Sequence, residues 1–165
     1  MTVIAKETII GKRVPKLDAP PKVSGEARYL QDIELPGMLY GKILRADRVH
    51  ARIVNIDVSG AKALPGVHAV ITAADTPGVP LGIGRDNPPL KGDKVRCIRD
   101  EIAAVAAETE EIAEEALRLI KVEYEDLPAV FDPAESLKEG APVIHEKHPD
   151  NIPFTFEYSH GDISE

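Results

Sequence analysis

Apolar residues in the central part of the chain recur with the two-residue period of strands and the 3.6-residue period of helices. Short apolar or alternating runs that end at glycine, proline or charged residues predict strands. The predicted strands cover residues 27–33, 38–45, 51–58, 67–72, 94–98, 102–107 and 153–159. In the last of these, Phe154, Phe156 and Tyr158 alternate with Thr155 and Glu157.

The clearest helix is predicted to begin after Thr109, whose hydroxyl suits an N-cap. One buried face is expected to contain Ile112, Ala113, Ala116, Leu117 and Ile120. Shorter helices are predicted after Ser59 and Asp132. After Ile120 the period of the apolar residues changes from 3.6 to 2, which indicates that the helix leads into a strand. These elements predict the α+β class, with a mixed sheet of about seven strands and two or three helices.

Proline and glycine divide the rest of the chain. Residues 11–22 contain three prolines and three lysines, so residues 1–22 are interpreted as an extended N-terminal arm. The main domain is predicted over residues 23–160, with one long irregular loop at 76–93. Residues 161–165 are interpreted as the start of a linker.

Composition excludes several classes of function. The net charge of −8 is the wrong sign for binding nucleic acid or an anionic membrane. No apolar run approaches the roughly 20 residues that a membrane-spanning helix needs, and a secretory signal is absent from the first residues. A cytoplasmic location is therefore expected. A single cysteine excludes an internal disulfide framework and any four-cysteine metal site.

That cysteine, Cys97, lies in the stretch "VRCIRDEIAAVAAE" at residues 95–108. The pattern predicts two strands joined by the charged turn Arg99, Asp100 and Glu101, whose side chains face solvent or a neighbouring subunit. A nucleophilic cysteine needs a lowered pKa and a partner base, usually histidine, and no histidine is near in sequence. We therefore expect Cys97 to be a small buried hydrophobic residue that reacts poorly.

The histidines give a weak signal for chemistry. His145 and His148 have a spacing that could hold a metal, but they lie in a proline-bearing loop and are expected to be solvent-exposed. His50, His68 and His160 are isolated, and each is interpreted as structural or exposed. The stretch "GIGRDN" at 82–87 has neither the third glycine nor the flanking strand and helix of a dinucleotide-binding motif. No catalytic, cofactor-binding or metal-binding residue is assigned from the sequence.

Several separated segments together resemble one known family. They are "PKVSGEARYLQDIELPGMLYGKILRA", "HARIVNIDVSGAKALPGVHAVITAAD", "VRCIRDEIAAVAAETEEIAEEALRLIKVEYEDLPAVFDP" and "HGDI", in this order. The chain resembles the N-terminal α/β hammerhead domain of the molybdopterin-binding large subunit of the molybdenum hydroxylases, which include xanthine dehydrogenase, aldehyde oxidoreductase and carbon monoxide dehydrogenase. Within that family it is most similar to the α subunit of 4-hydroxybenzoyl-CoA reductase, through "ADTPGVPLGIG" and "HPDNI".

The resemblance implies a non-catalytic domain of a larger oxidoreductase. The molybdopterin cofactor would belong to other domains of the large subunit, and iron–sulfur clusters and FAD to other domains or subunits, all of which become expected partners. The family commonly has Gly-Glu-Pro after the cysteine strand and Ser-Pro-His-Ala-His after Arg45, where this chain has Arg99-Asp100-Glu101 and residues 46–50. Arg99, Asp100 and Glu101 are therefore candidate subunit-contact residues.

Two alternatives stay open at this point. The chain could be a stand-alone protein-interaction module that uses the same fold. It could also be a small enzyme that uses Cys97 or the His145 and His148 pair.

Overall fold

The computed structural model describes residues 10–82 and 84–161 and divides the chain into two compact units, Met1–Met38 and Leu39–Glu165. In the first unit, residues Ala19–Ser24 form helix α1. Two prolines stand at its first turn, where a missing N–H costs nothing, and Gly25 ends it in the left-handed conformation at φ 77°. The prediction of an extended arm through residue 22 is therefore wrong for residues 19–22.

The predicted strand over 27–33 is also absent. Residues Leu30–Asp32 form a single 3-10 turn instead. The carboxylate of Asp32 accepts a hydrogen bond from the backbone N–H of Tyr29 at 2.8 Å, and the Asp32 N–H donates to the Tyr29 carbonyl at 3.0 Å. This reciprocal capping folds the segment on itself, so its backbone groups are not available to a sheet.

The second unit contains six strands and three helices among its described residues. The strands are β1 Tyr40–Arg45, β2 Ala51–Asp57, β3 Val67–Thr72, β4 Lys94–Val95, β5 Glu101–Ala107 and β6 Lys121–Asp126. The helices are α2 Ser59–Ala63, α3 Glu110–Leu119 and α4 Pro133–Ser136. The strands form two antiparallel three-stranded sheets, ordered β1-β5-β3 and β4-β2-β6. The α+β class is confirmed, with two small sheets and six strands where one mixed sheet of about seven was predicted.

The larger core lies where α2 and α3 pack on the sheet of β1, β5 and β3. The predicted buried face of α3 is confirmed, since Ala113, Ala116 and the following Ile120 are buried. The Thr109 hydroxyl accepts a hydrogen bond from the Ile112 N–H at 3.3 Å and caps the helix as predicted. Small residues let the two helices approach closely, because a Cβ at Gly60 would lie 3.3 Å from the Leu119 carbonyl oxygen.

A second, smaller core is formed by Ala46, Ile53, Val95 and Ile102. Val95 and Ile102 are fully buried and have the largest fully buried side chains of the described residues. Because they flank the turn at 96–100, this cluster fixes both ends of the segment that contains Cys97.

Two other predicted elements differ from the structure. Strand β4 ends at Val95 instead of residue 98, and residues 153–159 form no strand. The short helix predicted after Asp132 is present as Pro133–Ser136, and the Asp132 carboxylate caps it by accepting a hydrogen bond from the Ala134 N–H at 2.8 Å. Among the residues described, no helix is long and apolar enough to span a membrane.

Candidate functional site

A buried ammonium group lies at the end of the long loop over residues 76–93. Lys91 is only 3% exposed. Its Nζ donates to Asn87 Oδ1 at 2.6 Å and to Glu101 Oε2 at 2.8 Å, and lies 3.7 Å from Asp100 Oδ1. Glu101 also accepts from Arg45 Nη1 at 2.6 Å through its other oxygen. Two cations and two carboxylates therefore form one network between the loop, β1 and the start of β5.

The network strongly favours the ionised form of Glu101. The hydrogen bond from Lys91 is the main reason why the pKa of this carboxyl falls from 4.5 to about 2, against the opposing effect of burial. The hydrogen bond from Arg45 acts in the same direction. A buried ammonium is tolerated only when it is paired, so we assign this cluster a structural role.

Asp100 shapes the turn that follows β4. Its carboxylate accepts hydrogen bonds from the backbone N–H groups of Arg96 and Cys97, at 2.8 and 3.1 Å. The preceding residue, Arg99, has a left-handed backbone with φ 73°. The contacts of Asp100 use the N–H groups that a longer β4 would need, which explains why the strand stops at Val95.

The three charged residues of the turn do not behave alike. Arg99 has an exposed side chain, as predicted, and its carbonyl accepts a hydrogen bond from Arg45 Nη1 at 2.9 Å. Asp100 and Glu101 instead direct their carboxylates at backbone N–H groups and at Lys91. The prediction that all three side chains face solvent or a partner is wrong for Asp100 and Glu101. Both carboxylates lie next to the buried ammonium of Lys91, about ten residues earlier in the chain.

Cys97 is exposed, which contradicts the predicted burial. The chain leaves the sheet after Val95. Cys97 therefore lies outside the strand, and the strand's alternation of buried and exposed side chains does not determine the position of its thiol. The Sγ atom approaches the Ile98 carbonyl oxygen at 3.3 Å. Cys97 lines a cleft of about 330 Å³ together with Lys91, Arg96 and other polar residues.

His145 and His148 are half-buried, so the prediction of solvent-exposed loop histidines is wrong. Both line a cleft of about 390 Å³, beside the apolar side chains of Phe131 and Ile144. Burial lowers the pKa of His145, and the nearby Arg96 guanidinium lowers it further. The described residues contain no group of three or more histidine, cysteine, aspartate or glutamate side chains that could hold a metal ion.

Asn151 organises this loop, a role that the sequence pattern does not reveal. Its Oδ1 accepts from the Ile144 N–H, and its Nδ2 donates to the carbonyls of Ser136 and Pro142, each at 3.0 Å. Its backbone is left-handed, with φ 57°. The only available signal was asparagine's tolerance of that conformation next to a proline-containing turn.

Glu146 connects the same loop to β4 and to the residue that follows it. It accepts from Lys94 Nζ at 2.8 Å and from Arg96 Nη2 at 3.0 Å. The hydrogen bond from Lys94 is the main reason why its pKa falls from 4.5 to about 2. Lys94 and Arg96 are thus both paired with a carboxylate, so neither side chain offers an unpaired positive charge to an anionic ligand.

The other three histidines occupy different environments. His50 is buried, and its Nδ1 contacts the Pro128 carbonyl oxygen at 2.5 Å, so Nδ1 carries the proton. Its Nε2 is buried without a hydrogen-bond partner in the described part of the chain. His68 Nε2 lies 3.1 Å from Glu108 Oε1, and His160 stacks on Tyr158 with ring centroids 6.4 Å apart. The interpretation as structural or exposed is confirmed for all three.

A comparison with protein families matches residues 24–128 to the a/b hammerhead domain of aldehyde oxidase and xanthine dehydrogenase. The matched region contains both cores and the Lys91 network, and it ends before the loop of His145 and Asn151.

Similar full-length proteins are much longer than this chain. A probable xanthine dehydrogenase subunit of Bacillus subtilis (strain 168) is 47% identical over 150 residues, which are 90% of this chain and 20% of that protein. The nicotinate dehydrogenase large molybdopterin subunit of Eubacterium barkeri is 42% identical over 139 residues, 83% of this chain and 33% of that subunit. This chain therefore spans a fifth to a third of the length of these relatives.

A solved structure gives the same picture of the fold. The Cu,Mo-CO dehydrogenase in its carbon monoxide reduced state superposes with a TM-score of 0.78 at 37% sequence identity. The superposition covers 83% of this chain and 18% of the other.

Proposed function

The chain belongs to the aldehyde oxidase and xanthine dehydrogenase a/b hammerhead family, and from this we propose that it acts as a non-catalytic N-terminal domain of a molybdenum hydroxylase large subunit. Its role is to hold and contact the domains or subunits that carry the redox cofactors. The match over residues 24–128, which contains both hydrophobic cores, is the observation that carries the proposal.

The candidate ligand residues in the described part of the chain do not fit a cofactor site. An iron–sulfur cluster needs four protein ligands, usually cysteines, and the chain has one cysteine. The anionic groups of a molybdopterin or FAD need free donors, whereas Lys91, Lys94 and Arg96 are each paired with carboxylates. We therefore assign molybdopterin, the iron–sulfur clusters and FAD to other domains or subunits of the parent enzyme.

The proposed contact surface centres on Arg99. Within the described residues, it is the member of the Arg99-Asp100-Glu101 turn whose charged group is not engaged inside the protein, and the network around Lys91 holds the turn in place. An exposed charge on a fixed turn suits recognition of a neighbouring subunit. Asp100 and Glu101 contribute to this contact by fixing the conformation of the turn.

The finer features of the proposal concern the parent enzyme. We propose a cytoplasmic hydroxylase or dehydrogenase, with the iron–sulfur and flavin components as partners. The similarity to 4-hydroxybenzoyl-CoA reductase stays a prediction, since the Bacillus subtilis and Eubacterium barkeri relatives act, by their names, on other substrates.

A segment exchange tests the proposal. This chain replaces the matched segment of the Bacillus subtilis relative, and this chimera is co-expressed with the other subunits of that enzyme. We expect an affinity tag on the chimera to recover those subunits as it does on the unchanged relative. A folded chimera that recovers none of them would contradict the proposal and favour a stand-alone interaction module.

A charge reversal tests the contact surface in the same chimera. Arg99→Glu should lower recovery of the other subunits at least several-fold while the melting temperature of the isolated chain stays nearly unchanged, as is usual for surface changes. Arg118→Glu on α3 is the matched control, because Arg118 is 74% exposed and pairs only with Glu114 at 3.6 Å among the described residues. Equal recovery with both variants would exclude the role of Arg99.

A further inference from the structure

The last described residues of the chain have the pattern of a strand but no sheet. Phe154, Phe156 and Tyr158 alternate with Thr155 and Glu157. The three aromatic side chains are 71%, 79% and 74% exposed. Residues 154–160 have no regular secondary structure. The sequence therefore encodes one aromatic and one polar face, and the structure covers neither.

The backbone of this segment is unpaired as well. Residues 153–160 make no backbone hydrogen bond with any other residue in the described ranges. Tyr158 and His160, two positions apart, stack with ring planes 9° apart. Side chains at i and i+2 on the same side are typical of extended backbone. An apolar face beside free N–H and C=O groups is what the edge of a sheet binds when it gains a strand.

The segment leaves the domain from a fixed point. Asn151 makes three side-chain hydrogen bonds to the preceding loop. The N–H of Ile152 donates to Asp150 Oδ1 at 3.1 Å. Because its first residues are held, ordering the segment in a complex costs less conformational entropy than ordering a free tail.

The size of the aromatic face indicates what kind of partner covers it. Three aromatic side chains bury about 150–250 Å² each when fully covered, so their exposed parts offer roughly 450 Å². With a similar area from the partner the total is about 900 Å², below the 1,200–2,000 Å² of a stable interface between separate molecules. A partner in the same polypeptide needs less contact because its effective concentration is high.

We propose that residues 153–159 form an edge strand of a sheet that lies in the large subunit outside the matched region, with Phe154, Phe156 and Tyr158 facing the core of that neighbouring domain. The inference rests on the proposed function. It draws on the length of the relatives, since the matched part is only 20% of the Bacillus subtilis protein, and the rest of such a subunit supplies a covalently attached partner.

Hydrogen exchange measured by mass spectrometry tests this proposal. Peptides that cover residues 153–159 should exchange at least tenfold more slowly in the Bacillus subtilis chimera than in the 165-residue chain alone. Phe156→Ser, or the triple change of Phe154, Phe156 and Tyr158 to Ser, should restore the fast exchange in the chimera. Thr155→Ser with Glu157→Gln on the polar face is the control and should keep the slow exchange. All variants should leave the melting temperature of the chain alone unchanged, which separates loss of docking from loss of folding.

The outcomes separate this inference from the proposed function. A chimera that recovers the other subunits but exchanges residues 153–159 as fast as the chain alone would overturn the inference and leave the proposed function intact. Slow exchange in the chain alone that depends on its concentration would overturn it in favour of a second copy. A folded chimera that recovers no other subunit would remove the proposed function and this inference together.

Discussion

Replacement of Glu101 by glutamine tests how much the buried network contributes to folding. The change keeps the shape of the side chain and one oxygen that can accept from Lys91, and it removes the negative charge. Lys91 stays buried with Asp100 Oδ1 at 3.7 Å as its remaining carboxylate neighbour among the described residues. Breaking a buried pair by removal of one partner typically costs about 3–5 kcal/mol.

The lowered pKa of Glu101 corresponds to a free energy of the same order. A fall from 4.5 to about 2, at 1.36 kcal/mol per unit, corresponds to roughly 3 kcal/mol of stabilisation by the ionised form. Because the glutamine oxygen and Asp100 replace part of the interaction, we expect Glu101→Gln to lower the free energy of unfolding by about 2–4 kcal/mol at pH 7.

The effect has a defined pH dependence. The folded-state pKa of Glu101 lies below its unfolded value, so its contribution is complete above about pH 4.5 and is lost as the pH falls towards 2. At pH 3 the difference in unfolding free energy between wild type and Glu101→Gln should therefore shrink to about 1 kcal/mol. Urea unfolding followed by far-ultraviolet circular dichroism suits the chain, which has no tryptophan.

Glu125→Gln is the matched control. Glu125 pairs with Arg52 at 3.4 Å on β6 and β2, and both side chains are more than 60% exposed. Exposed pairs contribute about 0.2–1 kcal/mol, so this variant should differ little from wild type at either pH. If Glu101→Gln were as mild as Glu125→Gln, or if its effect were the same at pH 3 and pH 7, the reasoning about the buried ammonium would be refuted.

Three further predictions concern the segment around β4 and β5. Because Cys97 is exposed, a thiol reagent should label it stoichiometrically without denaturant; labelling only after unfolding would show that the thiol is buried. Arg99→Val should destabilise the chain by about 1–2 kcal/mol, since a β-branched residue fits poorly at φ 73°. Arg99→Gly should be neutral or slightly stabilising. A melting temperature of Arg99→Val that is not lower than that of Arg99→Gly would contradict the left-handed backbone at this position. Ile102→Ala should lower the free energy of unfolding by about 2–5 kcal/mol because Ile102 is fully buried. Ile98→Ala, at a position that is 53% exposed, should lower it by under about 1 kcal/mol. Similar losses of stability for both variants in urea unfolding would contradict the packing described.

The sequence pattern was sufficient where an element is defined by its own residues. The cap at Thr109, the buried face of α3 and the change of period at Ile120 are all local signals, and all three are confirmed. The α+β class follows from such elements. The partition into two antiparallel sheets does not, because it depends on which strands meet.

The features that the pattern missed depend on distant partners. The sequence pattern does not mark Lys91 as a buried residue, because its burial is tolerated only when Glu101 and Asp100 come within reach in the folded chain. Cys97 was expected inside a strand, and the Asp100 carboxylate takes the N–H group that such a strand would have paired. A two-residue period shows which side chains can share a face, but it does not show whether a partner strand exists.

The candidate site was predictable to a smaller extent than the fold. The turn of Arg99, Asp100 and Glu101 was identified from its charges and from its departure from the family pattern, yet the inward direction of two carboxylates needed the structure. The structural role of Asn151 gives almost no signal in the sequence. Its three hydrogen bonds reach the backbone of Ile144, Ser136 and Pro142, which lie 7 to 15 positions away, beyond the reach of a local pattern.

The most direct test of the central claim is the molybdenum content of the purified chimera complex and of the purified chain alone, measured by inductively coupled plasma mass spectrometry. The claim is that this chain is a non-catalytic domain of a molybdenum hydroxylase large subunit. We predict stoichiometric molybdenum in the complex that contains the Bacillus subtilis chimera and none in the 165-residue chain alone. Stoichiometric molybdenum in the chain alone, or a folded and fully assembled chimera that holds none while the unchanged enzyme does, would contradict the account.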